Sequence, residues 1–225
     1  MGALTAVRVL IWKDLVLELR TKEILTAMTV FAMLVAVVFS FAFSPSPQEA
    51  VRLLPGMLWV TLAFAATLGL SRSFVLERDQ QCLEALRLFP FDPSLIYAGK
   101  AASNLIFLLI VEVLVLPALA AIAGVPLLDR LFPLALVMVL GTVGLVAVGT
   151  ICSAMSVNTR IREVLLPVLL LPLATPVLIS GTKATLGVLA GRPLLEIAPG
   201  LRILAAFDVI FAVVGYVVFE FLLEE

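Results

Sequence analysis

Glu112 is the residue best placed to do chemistry inside an apolar stretch. It sits close to the middle of Ala101–Ala123, a run with no other charge, where a charged side chain costs roughly 2.5–3.5 kcal/mol to insert. Two roles fit such a group. One is a proton-coupled or substrate-facing carboxyl inside a helical bundle; the other is a hydrogen-bonded carboxyl that locks two helices together. Asn104, Thr142 and Thr150 are polar residues able to meet it, and the sequence leaves open which one does. Asp208, the acid near the start of the last apolar run, is expected nearer a membrane face, reaching water or Arg202.

Other catalytic chemistry is hard to assemble. The chain has no histidine, which removes the commonest general base, the commonest metal ligand and the usual axial ligand for haem. Cys82 and Cys152 have no paired spacing and build neither a disulfide framework nor a zinc site. The nearest approach to a phosphate loop, Gly99-Lys100-Ala101, lacks the first glycine and the Ser/Thr that would hold Mg²⁺. A non-catalytic chain is expected, with no catalytic residues and with no cofactor or metal of its own.

The elements that must position Glu112 follow from composition. Hydrophobic residues make up 63% and charged residues 14%, against about 45–50% and about 25% in ordinary soluble domains. Mean hydropathy is +1.21, more apolar surface than one soluble core of this size could hide. The net charge of −1 offers no basic face for nucleic acid. Runs of about 20 apolar residues cross the hydrocarbon of a bilayer. Six are legible: 24–43, 53–71, 101–123, 132–155, 164–181 and 203–223. The expected fold is all-α, a single transmembrane domain over residues 1–225 with about six spans. Pro167, Pro172 and Pro176 should kink the fifth.

Basic residues give an orientation. With the N-terminus inside, ten of the fifteen Lys and Arg residues fall in inside segments, so both termini are expected in the cytoplasm. Arg8, Lys13, Asp14, Glu18 and Arg20 interrupt the stretch where a signal peptide needs an uncharged core, and the N-terminal segment is expected to stay on the protein.

Two segments outside the spans stand out. Over residues 3–22, Trp12, Leu15, Val16 and Leu19 share a helical face. Asp14 and Glu18 fall on the far side with Lys13 and Arg20. This predicts a helix lying in the interface, with Trp12 at headgroup depth, its charged side in the polar phase and its basic residues on anionic membrane lipid; the alternative is a charged anchor that fixes topology. The inside loop 72–100 is not linker-like. Val75–Leu88 alternates Glu77, Arg78, Asp79, Glu84 and Arg87 with Leu76, Leu83, Leu86 and Leu88, and Phe89-Pro90-Phe91-Asp92-Pro93 stops it. Such an amphipathic helix needs a cover, either a partner protein or its own membrane domain. In the fourth span, Gly141, Gly144 and Gly149 permit close packing, within the bundle or across a dimer.

Several blocks in order resemble the cytochrome c biogenesis protein CcmB family: Pro55-Gly56-Met57-Leu58-Trp59-Val60, Leu70-Ser71-Arg72-Ser73-Phe74, Glu77-Arg78, Leu83-Glu84-Ala85-Leu86 and Ile96-Tyr97-Ala98-Gly99-Lys100. Lys13-Asp14-Leu15, Glu18-Leu19-Arg20, Leu170–Ile179 and Lys183-Ala184-Thr185 fit as well. The resemblance covers nearly the whole length. It implies the membrane subunit of an ABC-type complex, related to ABC-2 permeases, in the bacterial inner membrane. It also implies a separate ATPase subunit that binds ATP, partners that handle haem and a haem chaperone, and two copies of this chain per complex. Carried over, Val75–Leu88 is the coupling helix, with Glu77, Arg78, Leu83, Glu84, Leu86 and Arg87 as candidate ATPase contacts. Gln80-Gln81-Cys82 departs from the glycine and small residue common in the family just before the Leu-Glu pair. The rival reading is a stand-alone proton-coupled transporter using Glu112, although the two halves of the chain show no internal repeat.

Overall fold

The structure is a computed structural model that describes residues 3–43, 47–79, 93–157, 159 and 161–224. Among the described residues there are seven α-helices: α1 (Ala3–Thr21), α2 (Glu23–Phe43), α3 (Pro47–Asp79), α4 (Pro93–Ala123), α5 (Leu131–Val157), α6 (Arg162–Leu189) and α7 (Leu194–Glu224). A short 3-10 turn, Leu128–Arg130, leads into α5. Helices α2 to α7 are each long and apolar enough to cross a bilayer, and the chain is an all-α, multi-pass membrane protein. Helices satisfy every backbone polar group internally, which hydrocarbon demands.

Several elements run beyond the apolar stretches that announce them. Helix α3 extends through the charged residues to Asp79, and α4 opens at Pro93. Proline at a first helical position loses no hydrogen bond, because that N–H has no intrahelical acceptor. Helix α6 carries Pro167, Pro172 and Pro176 without interruption and continues to Leu189. Gly191, at φ 74°, then turns the chain into α7, a conformation in which glycine avoids the Cβ penalty. The Arg130 guanidinium donates to the Val188 carbonyl at 3.0 Å and fastens this turn to the start of α5.

Helix α3 is the axis of the bundle, touching α2, α4, α5 and α6. Trp59 shows why. It is 1% exposed, and its ring fills a notch that Gly141 on α5 and Gly181 on α6 leave open. Its Nε1 donates to Thr185 Oγ1 at 3.0 Å, so the one polar atom of the ring is satisfied at depth. Gly144 faces Val177, Phe207 and Asp208, and Gly149 faces Leu70 and Leu170. All three fourth-span glycines thus admit side chains of their own chain, the packing of a bundle interior.

Helix α1 packs chiefly on α4, but with the opposite face from the one expected. Trp12 and Leu19 are 69% and 70% exposed, whereas Asp14 and Glu18 are 7% and 2% exposed. The expectation that these two acids face the polar phase is wrong. Asp14 is taken in by a partner far along the chain, Lys100, and Glu18 by the backbone amides that open α2.

Candidate functional site

The candidate coupling surface divides at the edge of what is described. Leu83, Glu84, Leu86 and Arg87, together with Gln80-Gln81-Cys82, lie outside the described residues. Glu77 and Arg78 occupy the last turns of α3, and their side chains lie outside the described set. What the structure does give is the layer in which the chain on either side of residues 80–92 meets.

That layer is polar and is built from four helices. Lys100, in the second turn of α4, is 3% exposed. Its Nζ lies 3.0 Å from Asp14 Oδ2 on α1 and donates to the Ser73 carbonyl of α3 at 3.4 Å. One ammonium therefore ties together the two strands of chain that lead into and out of residues 80–92, and ties both to the N-terminal helix. Lys13 adds a second cation 3.4 Å from Asp14. An ammonium removed from water loses several kcal/mol of hydration, which only close, well-directed partners offset; here a carboxylate and a carbonyl do so.

Glu18, one turn beyond Asp14, accepts from the backbone N–H of Leu25 at 2.7 Å and of Ile24 at 3.2 Å. These are free donors of the first turn of α2, and a carboxylate there also meets the positive end of the helix dipole. Between the helices, Lys22 adopts φ 56° and turns the chain from α1 into α2. At the rim, Arg72 Nη1 meets Glu23 Oε2 at 2.8 Å, both about half exposed. A pair this open contributes little stability but marks where α3 leaves the layer. Ser153 Oγ donates to the Leu70 carbonyl at 2.6 Å, joining α5 just beneath.

The intramembrane carboxyls are separate from this layer and from each other. Glu112 is 5% exposed, and its Oε2 accepts from Thr142 Oγ1 at 2.6 Å; this is a direct tie between α4 and α5. Neither Asn104 nor Thr150 is its donor. Asp208 overturns the expectation that it reaches water or Arg202: it is 8% exposed and its Oδ1 lies against Gly144 with no hydrogen-bond partner among the described residues. The reason is the early start of α7 at Leu194, which carries position 208 roughly 20 Å along the helix axis and into the bundle.

In the sequence Lys100 belongs to a failed phosphate loop and Asp14 to the charged side of a helix, and the family blocks that contain them say nothing of a contact between the two. Their meeting, 86 positions apart, left one trace in the sequence: a lone lysine bordering an apolar run.

Comparison with known proteins follows the same length of chain. A family model described as CcmB protein matches residues 5–221, a stretch that takes in the polar layer and all of 72–100. The Heme exporter protein B of Bradyrhizobium diazoefficiens is 29% identical over 212 residues, 94% of this chain and 94% of that protein. That of Pseudomonas aeruginosa is 31% identical over 175 residues, 77% of each. That of Rhodobacter capsulatus is 30% identical over 176 residues, 78% of this chain and 80% of its own.

Proposed function

The chain belongs to the CcmB protein family, and on that footing we propose that it is the membrane subunit of an ABC-type complex that handles haem for cytochrome c maturation. Relatives bearing the name Heme exporter protein B support the haem-export setting. In this reading a separate ATPase subunit binds ATP and docks on the segment around residues 80–92, with Glu77, Arg78, Leu83, Glu84, Leu86 and Arg87 at the contact. Both termini and this segment lie on the cytoplasmic side of the inner membrane. Haem is held by partner subunits and passed to a chaperone, and two copies of the chain serve one complex.

The observation that carries the proposal is the buried ion pair of Lys100 with Asp14, with the Ser73 carbonyl as a third member. A force applied at residues 80–92 enters the bundle through Ser73 and Lys100, and the pair hands it to α1, while Arg72 and Glu23 carry it to α2. Coupling of this kind requires contacts that differ between two states of the assembly, and a polar layer can exchange partners where an apolar core cannot.

Co-purification tests it. Tagged chain carrying L83E and L86E should lose its ATPase subunit and its support of cytochrome c production while still inserting normally in the membrane. Retention of the ATPase by that variant, or absence of any ATPase from the wild-type complex, overturns the proposal.

A further inference from the structure

An open cleft of about 260 Å³ lies beside the polar layer, between α1, the first turn of α2, Ser73 of α3 and the first half of α4. One wall carries Trp12, Val16 and Arg20, at the fourfold spacing that lines side chains up along one ridge of a helix. Ile24 and Phe107 form an apolar floor, each less than a tenth exposed. Phe107 lies seven residues beyond Lys100, so the floor reaches roughly 10 Å further along α4. The cleft is graded, with cations and an indole at its mouth and hydrocarbon at its base.

The charge it offers a visitor is positive. Of the acids in its lining, Asp14 is held by Lys100 and Lys13, and Glu18 by two backbone amides. Arg20 is exposed, and the Lys13 side chain remains 40% exposed. On the same outward side, Trp12 and Leu19 turn away from the bundle. A tryptophan at the edge of a membrane bundle belongs at headgroup level, and an apolar helix face flanked by cations suits an anionic lipid surface.

We propose that this cleft binds one anionic phospholipid of the surrounding bilayer, its phosphate between Lys13 and Arg20 and an acyl chain along Ile24 and Phe107. Free phosphate would leave the apolar floor wet; a zwitterionic lipid would bring a second cation to a cationic mouth. A lipid seated there braces α1 against α2 and α4, directly beside the Lys100 ion pair. This inference does not depend on the ATPase reading.

The two tryptophans of the chain make the test direct, because Trp59 is sealed in the core and Trp12 lines the cleft. The full chain is reconstituted in phosphatidylcholine nanodiscs containing acyl-brominated phosphatidylglycerol or acyl-brominated phosphatidylcholine. Brominated phosphatidylglycerol should quench Trp12 at a mole fraction at least threefold lower. K13Q/R20Q should abolish that preference and K13R/R20K should keep it. R52Q, which removes an exposed cation at the opposite end of the bundle, should also keep it. Unchanged thermal unfolding of the variants shows that the fold is intact. Equal quenching by the two lipids, or equal loss in R52Q and K13Q/R20Q, overturns the proposal; the first is also what a protein occupant of the cleft would give. Should K13Q/R20Q fail to fold, the wild-type lipid preference set against R52Q decides alone.

Discussion

Lys100 and Asp14 form an ion pair at 3.0 Å that is more than nine-tenths buried on both sides, joining the N-terminal helix to the helix that follows residues 80–92. Removing Lys100 leaves Asp14 nearly dry with the half-exposed Lys13 as its remaining cation, and losing one member of a buried pair costs about 3–5 kcal/mol. K100M is therefore expected to lower the melting temperature by about 6–20 °C for a chain of this size. D14N should cost less, because the amide oxygen still accepts from Lys100. Replacing both, as D14L/K100M, should restore most of the stability. The double variant should nonetheless fail to support cytochrome c production, since nothing then holds the Ser73 carbonyl to α1. Thermal scans in detergent beside a cytochrome c assay separate the two effects.

Glu18 and Lys22 make a second, independent prediction. Glu18 caps two amides at the start of α2, and loss of a capping side chain costs about 0.5–2 kcal/mol. E18A should fall at the upper end of that range, because the acceptor is charged and the site is buried. Lys22 holds a left-handed conformation that costs an L-residue roughly 1–2 kcal/mol. K22G should relieve it and raise stability by up to about 1 kcal/mol once the extra chain entropy of glycine is counted. Opposite signs from neighbouring residues in one unfolding series would confirm the corner; a destabilising K22G would refute it.

Trp59 is expected to be the most size-sensitive position in the bundle. A Cβ added at Gly181 would sit 2.5 Å from the Trp59 Cε2 atom, and one at Gly141 would overlap the far edge of the same ring. G141A and G181A should each cost about 1–3 kcal/mol through overpacking. W59L in the G141A background should recover part of that cost, giving a coupling of about 0.5–3 kcal/mol. Additive losses in the double-mutant cycle would mean that the notch relaxes without the ring.

The spans were legible because hydrocarbon imposes a length and a composition, and both are local properties of the chain. Ile24–Phe43 could be placed to within a residue on those grounds. Helix ends were less legible where charge and structure part company: Arg72 ends an apolar run but not α3, which continues to Asp79, and Lys183 does not end α6. That second extension, followed by an early start of α7, is why Asp208 was expected near a membrane face and lies inside the bundle. Asp14 shows the other limit. Periodicity assigns a face its polarity but not its surroundings, and a carboxylate with a lysine 86 positions away is buried for reasons no window of sequence contains. The contacts of Trp59 with Gly141 and Gly181 are of the same long-range kind.

Glu112 offers the sharpest choice between two readings of the membrane interior. Its Oε2 accepts the Thr142 hydroxyl at 2.6 Å, a contact that needs an acceptor but not a charge. Glutamine keeps the acceptor, so E112Q should leave cytochrome c production within about twofold of wild type. Removing one partner should destabilise by about 1–3 kcal/mol, because the other is left unsatisfied in a dry site. E112L should sit at the lower end, since the Thr142 hydroxyl can turn to a carbonyl of its own helix. T142V should sit at the upper end, since the carboxyl has no such recourse. E112L/T142V, with both polar groups gone, should come back toward wild-type stability. A proton-coupled transporter predicts another pattern: E112Q would assemble and melt normally yet be inactive, because an amide cannot give up and regain a proton. Activity and unfolding measured on the same four proteins distinguish a tie between α4 and α5 from a proton site.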